Sequence, residues 1–229
     1  MTTVLVTGAN RGLGLEFVRQ YAEDGADVIA CCREPEKAAA LNALAKSKKS
    51  VTVMALDVRD PKSVKALKDR VGDTPIDIVI NNAGISGPRG RTEGDFPFEA
   101  NLQVFAVNSL APVMVAYALR ENLKAGKEKK LVTITSQLGS IANHGGGASA
   151  YNASKAAVNS FMHGLSKSWA KDGIRVGIFH PGWVSTDMGG ASAPVTPPQS
   201  VSGLRARIAE LNEKNSGRFV DYQGKDLPW

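Results

Sequence analysis

Apolar positions along this chain follow two periods that alternate from one end to the other. Short, nearly continuous apolar runs are separated by longer stretches in which apolar residues recur every three or four positions. The first kind reads as strands covered on both faces, the second as amphipathic helices. "TVLVTG" (3–8) predicts a strand ending in glycine, and 13–25, with Leu13, Phe17, Val18 and Tyr21 at helical spacing, a helix stopped by Gly25. Strand 26–32, helix 34–47, strand 51–58 and helix 60–72 follow. The last opens on Asp60 before Pro61, a cap residue followed by a proline at the first helical position.

"IDIVINNAG" (76–84) predicts a fourth strand, and 98–124 a long helix whose apolar residues run nearly all the way round, with Pro112 set to kink or break it. Strand 130–136, a second long helix 149–173 and strand 174–182 come next. A loop rich in Pro, Ser and Gly covers 187–203, then a polar helix about 199–215, and "GRFVDYQG" (217–224) is expected to close the sheet. Strands alternating with helices predict an α/β fold, a doubly wound parallel sheet with helices on both faces. With no internal repeat and no linker, residues 1–229 read as a single domain, the 187–203 loop lying over its site.

The bulk numbers change this picture little. At 229 residues the chain can bury a substantial core, and 43% hydrophobic and 22% charged residues are ordinary for a globular protein. No apolar run is read as long enough to cross a bilayer, and the first residues lack a signal-peptide pattern; no membrane contact and a cytoplasmic location are therefore expected. The two cysteines, Cys31 and Cys32, are neighbours, poorly placed to cross-link a fold, and no metal site is suggested. The net charge of +6 suits an anionic ligand. The basic residues are scattered, and the dense run "KAGKEKK" (124–130) reads as a solvated loop, so no nucleic-acid partner is expected.

Chemistry concentrates at a few places. After the first strand, "TGANRGLG" (7–14) sets Gly8, Gly12 and Gly14 in a turn that opens a helix. Gly8 permits the tight turn, Gly12 lets backbone approach a pyrophosphate, and Gly14 lets the helix pack closely, with free N–H groups facing the phosphates. Tyr151 and Lys155 are four residues apart on one predicted helix face. A free phenol titrates near pH ~10, and a close cation favours the phenolate, moving the group toward operating pH.

The glycine spacing G-x-x-x-G-x-G, "NNAG" at 81–84, Asn108, Ser136, the Tyr151–Lys155 pair and "PGWVSTDM" (181–188), in this order over nearly the whole chain, resemble the classical branch of the short-chain dehydrogenase/reductase (SDR) family. "CCREPEKAAAL", "TSQLGSIA" and "GRFVDYQGKDLPW" are most similar to its C-factor-like and sniffer-like carbonyl reductases. The resemblance implies a Rossmann fold and an oxidoreductase moving hydride between nicotinamide and a carbonyl or alcohol substrate, a small molecule. It implies Tyr151 as general acid/base, Lys155 lowering its pKa and binding the ribose, Ser136 holding the carbonyl, and Asn108 helping to hold a water. It places the cofactor along Gly8, Asn10, Arg11, Gly12, Leu13 and Gly14, past Cys32, Arg33, Asp57 and Val58, and over Asn82, Ala83 and Gly84. Pro181, Gly182, Val184 and Thr186 complete its wall, with Tyr151 and Lys155. Ser136 precedes Tyr151 by fifteen residues, slightly more than the family's usual interval, and the extra length falls in 143–149. Ser140 is the substitute candidate for Ser136, and His144 a candidate substrate contact or a solvated loop residue.

Where NAD-binding members of such folds carry an acid at the end of the second strand, this chain has Cys32 followed by Arg33, with Arg11 in the glycine turn. Two guanidinium groups and no acid point to NADP(H). The loop after Asp187 carries no charge until Arg205, which suits a neutral, fairly apolar substrate. The all-round apolar helix and the small residues along 151–171 predict a homodimer or homotetramer. The alternative to an enzyme is an NADP(H)-binding signalling or redox-sensing protein with little turnover.

Overall fold

The computed structural model describes residues 1–87, 97–147 and 149–229. Among the described residues seven strands form: β1 (Thr3–Thr7), β2 (Asp27–Cys32), β3 (Val51–Ala55), β4 (Ile78–Asn81), β5 (Lys130–Ile134), β6 (Arg175–His180) and β7 (Phe219–Asp221). They lie in the order β3-β2-β1-β4-β5-β6-β7, and every pairing is parallel. The α-helices are α1 (Gly12–Glu23), α2 (Ala39–Ser47), α3 (Pro61–Val71), α4 (Phe98–Phe105), α5 (Ala111–Ala118), α6 (Arg120–Ala125), α7 (Ala150–Ser168) and α8 (Pro197–Glu210). This is the doubly wound parallel sheet read from the alternating periods, with the Rossmann architecture that the resemblance implies.

Alternate strand residues face opposite cores. Val4, Val6 and Cys32 pack with Phe17 and Val18 of α1, Leu41 of α2 and Leu204 of α8. Leu5, Cys31, Leu131 and Ile178 pack with Leu67 of α3, Val115 of α5, and Val158 and Met162 of α7. The adjacent cysteines thus belong to different faces, both as buried free thiols. The chain leaves β1 toward β2 and β3 on one side and resumes with β4 on the other. The carboxyl ends of β1 and β4 therefore flank the crevice where ligands of such sheets bind.

Several boundaries differ from the sequence expectation, each for a local reason. The helix predicted at 98–124 is interrupted. Pro112 has no N–H for the carbonyl of Asn108, and the chain widens into a π turn at Ala106–Leu110, where Ala111 N–H reaches back to Ala106 O. The stretch Phe98–Ala118, 21 residues, is long and apolar enough to span a bilayer by length and composition alone, contrary to the reading above; half of it is buried inside the fold. The loop predicted at 187–203 ends at Thr196. There Thr196 and Gln199 form a reciprocal capping box with proline at the first helical position, so α8 begins at Pro197 and ends at Glu210 instead of 215. In 34–47, Pro35–Lys37 forms a 3-10 turn and the α-helix starts only at Ala39.

His180, at the end of β6, is buried, and its Nδ1 has no hydrogen-bond partner among the described residues. Burial pushes its pKa down to about 4, opposed by Asp221. The folded state then binds fewer protons than the unfolded chain between that value and ~6.5, so stability falls as pH falls through this window, by roughly 3 kcal/mol in all. Urea unfolding at pH 7 and at pH 4.5 is expected to show a steeper acid loss for the wild type than for His180→Leu; equal losses would refute the assignment.

Candidate active site

The glycine turn after β1 is built by close contacts. Gly8 has φ +66°, and a Cβ on it would meet Ala83 Cα at 2.9 Å. A Cβ on Gly14 would lie 2.1 Å from Gly8 O and 2.6 Å from Asn82 Nδ2, so α1 rests directly on the turn. Asn82 Nδ2 in turn donates to Thr7 O (2.9 Å) and Gly8 O (3.2 Å), and Thr7 Oγ1 accepts from the N–H groups of Asn82 and Ala83. "NNAG" thereby ties the end of β4 to the end of β1. Gly14→Ala is expected to lower stability by about 1–3 kcal/mol and to weaken cofactor binding, because the added methyl must push helix and turn apart. Thermal melts and a cofactor titration check both, and a variant matching wild type in each would contradict this packing.

Gly12 differs from its two neighbours. Its φ is +54°, and a Cβ there would find only the Thr186 side chain, at 3.6 Å, so the position opens into space. The first turn of α1 carries no side-chain cap and no acid; its N–H groups are left to a ligand. The opening is a cleft of about 820 Å³ lined by Gly8, Asn10, Arg11, Gly12, Leu13, Cys32, Arg33, Asp57, Val58, Asn82, Ala83, Gly84, Tyr151, Lys155, Pro181 and Thr186, among others. Bare backbone at Gly12, an uncapped helix start and no acid at position 32 fit a phosphate-bearing dinucleotide.

At the other end of the cleft, Ser149 caps α7 by accepting the N–H of Asn152, so Tyr151 and Lys155 sit on its first turns. Lys155 is buried, 5% exposed, and its Nζ donates to Ile134 O at 3.0 Å. The Nζ lies 5.8 Å from the centre of the Tyr151 ring. Burial brings the ammonium pKa down to about 8. Burial also pushes the Tyr151 phenol above its ordinary value, and the hydrogen bond with Ser136 opposes this. The direction expected from Lys155, toward neutral pH, is therefore not the one the phenol takes: desolvation is the larger effect. A phenol held protonated at neutral pH beside a serine hydroxyl forms a pair of donors for a carbonyl oxygen.

Ser136, not Ser140, is the serine at Tyr151. It also accepts the N–H of Leu138 at 3.1 Å, whereas Ser140 Oγ accepts from Asn143 N and donates to Trp229 O. Asn108 is buried, with Oδ1 accepting Ile85 N (2.9 Å) and Nδ2 donating to Ile85 O (2.9 Å) and Ser154 Oγ (3.1 Å). Its side chain clamps the segment after "NNAG" and sits, with Lys155 Nζ, over Gly84.

Five sequence-predicted residues do not line the cleft: Asn108 and Ser136 stand behind and beside it, Gly14 beneath it, and Gly182 and Val184 behind its wall. Gly182 packs on the Tyr222 ring, and Val184 is buried and bridged to Val195. Val184 therefore turns its side chain away from the expected cofactor wall. Trp183 is exposed, its Nε1 donating to Gly189 O at 2.8 Å, and so is not core. His144 is exposed and accepts the N–H of Gly146 at 3.0 Å. Of the insertion at 143–149, Ala148 lies outside the described residues.

Charges at the nucleotide end were only partly legible. Arg11 pairs with Asp187 across the cleft at 2.5 Å. Glu34 faces both Arg33, at 3.8 Å, and Lys37. The Arg59 guanidinium holds the Asp57 carboxyl below its usual range, though burial opposes it. Glu34, Lys37 and Arg59 line the cleft but were missed. The only signal was their closeness in sequence to Arg33 and Asp57.

A family model described as short chain dehydrogenase matches residues 2–195. The C-signal protein of Myxococcus xanthus is 40% identical over 167 residues, which cover 72% of this chain and all of that protein. Two solved structures align over all of this chain. The carbonyl reductase Sniffer of D. melanogaster does so at 32% identity and TM-score 0.90, with 100% of its own chain covered. The NADPH-bound carbonyl reductase from chicken fatty liver does so at 32% and 0.91, with 99% covered.

Proposed function

Because the chain belongs to the short-chain dehydrogenase family of oxidoreductases, we propose that it is an NADPH-dependent carbonyl reductase acting on a small neutral carbonyl compound or the corresponding alcohol. The observation that carries this reading is the meeting of Tyr151, Ser136 and Lys155 at one end of a cleft whose other end is the open glycine turn. When bound, the nicotinamide supplies or accepts the hydride. Ser136 and Tyr151 orient the carbonyl oxygen, and the protonated phenol hands it a proton. Lys155, fixed by Ile134 O, brings positive charge to the floor beneath Tyr151 and would hold the ribose hydroxyls of a bound cofactor. Arg11, Arg33 and Lys37 surround the nucleotide end, where a 2′-phosphate would exchange for Asp187 and Glu34 as their partner.

Oxidation of NADPH, followed by absorbance with a panel of aldehydes and ketones, tests this reading. Substrate-dependent loss supports it; tight NADPH binding with no turnover on any carbonyl overturns it in favour of an NADP(H)-binding signalling protein, the reading that the C-signal relative favours. NADPH is expected to bind at least about tenfold tighter than NADH, since a charge-assisted contact to the 2′-phosphate contributes ~1.5–3 kcal/mol. Calorimetric Kd values within threefold of each other would contradict the cofactor assignment.

Self-assembly and a cytoplasmic location belong to the same proposal. Leu110, Tyr117 and Phe161 are exposed on the π turn, α5 and α7, an apolar face suited to a second copy. A sedimentation mass of 24.2 kDa at micromolar concentration would count against the oligomer.

A further inference from the structure

The stretch from Ser136 to Tyr151, fifteen positions on, carries a proposed donor at each end and is seated on the body at two points. The first is Gly139, where a Cβ would lie 2.8 Å from the Lys155 carbonyl carbon, so the turn holding Ser136 rests flush on α7. The second is Trp229. Its backbone oxygen accepts the N–H of Ala142 at 2.9 Å and the hydroxyl of Ser140 at 3.5 Å. Its ring lies between His163 of α7 (centroids 5.2 Å apart) and Phe219 of β7 (5.6 Å). The segment leading to it is fastened to β7 by Leu227 N–H on Phe219 O at 2.9 Å and by the Arg218–Asp226 ion pair. Residues 143–147 are exposed, and a Cβ on Gly145 or Gly146 would touch nothing within 4 Å. Leu138, just before the first anchor, and Ile141, between the residues that Trp229 holds, are apolar side chains left 48% and 74% exposed.

We propose that Trp229 is a positioning residue: it holds Ser140–Ala142 in place, and with them the Ile141 side of the wall that receives the substrate's apolar part. The proposal rests on the carbonyl-reductase reading. Because Gly139 anchors Ser136 independently, loss of Trp229 acts on substrate binding and leaves the chemical step alone.

Trp229→Ala and Trp229→Phe are compared using 4-nitrobenzaldehyde, or whichever aldehyde of the panel is turned over. For Trp229→Ala, KM for the aldehyde is expected to rise about tenfold, the equivalent of losing one well-buried apolar contact, with kcat and the NADPH Kd unchanged within about threefold. Trp229→Phe is expected to restore most of the loss. Equal falls in kcat and in NADPH affinity, or an unchanged KM, overturn the proposal. Amide hydrogen exchange on the wild-type protein provides an arm that needs neither turnover nor a foldable variant. The Ala142 amide is expected to exchange at least about tenfold more slowly than those of Gly145 and Gly147, and equal exchange overturns the anchor. Absence of turnover on every carbonyl would refute the functional reading and leave the exchange result standing.

Discussion

Tyr151→Phe is expected to lower carbonyl reduction by about 10³-fold, within the ~10²–10⁴-fold that a positioned proton donor contributes, while NADPH affinity stays within about twofold. Both halves follow from the geometry. The phenol oxygen is the group that Ser136 pairs with, and burial keeps it protonated, so removing it removes the donor and nothing else of the same volume. The ring remains to pack beside Lys155, the 5.8 Å approach involving its face. The glycine turn and the arginines at the far end are untouched. Single-turnover reduction followed by NADPH absorbance separates chemistry from release, and a variant retaining a tenth or more of the wild-type rate would remove Tyr151 from the mechanism. Loss of NADPH binding would instead reveal a structural role.

Lys155→Met is expected to abolish turnover to a similar degree and to change stability in a pH-dependent way. The folded-state pKa of about 8 lies below the ordinary lysine value of 10.5. Between those values the unfolded chain binds more protons than the folded one, so stability rises with pH across the window. The burial penalty is fully present below pH 8. It amounts to about 3 kcal/mol. Met carries no charge, so the stability of the variant relative to wild type is expected to fall by about that amount between pH 7.5 and 10.5. Denaturant unfolding at several pH values measures it, and a pH-independent difference would refute the buried-ammonium assignment. Loss of the bond to Ile134 O shifts the whole difference without altering its slope. In the wild type, kcat/KM for NADPH is expected to fall as pH rises through about 8, because that ratio reports groups of the free protein and the cation is lost there.

Buried ammonium and active centre are thus one feature seen twice. A lysine in this position destabilises the fold at neutral pH, and its retention makes sense where a charge is needed at the cleft floor.

Much of this was open to reading in one dimension because it depends on short-range rules. Strand and helix periods, the glycine turn ahead of α1, the cap at Asp60 and the Tyr151–Lys155 spacing are set by residues within a few positions of one another. The misses were of two kinds. Some were local signals passed over, such as Thr196–Gln199 around the prolines that start α8; the break at Pro112 was expected, but not the π turn it takes. Others had no local signal. That Ser140, the substitute for the expected Ser136, bonds Trp229 O instead rests on a contact across 89 positions. Asn108 could be placed in a helix but not recognised as the clamp on Ile85, whose backbone meets it from 23 positions away.

The amino-acid sequence alone therefore determined the order and type of the elements, the phosphate-ready turn and the presence of a phenol and an ammonium on one helical face. Only the tertiary structure decided what those groups are. Arg11 meets an acid 176 positions away, and burial raises the phenol and lowers the ammonium against the direction that their mutual spacing suggests. The reason is that spacing along a helix sets which groups can be neighbours, whereas desolvation depends on everything packed around them, and at this site desolvation is the larger effect.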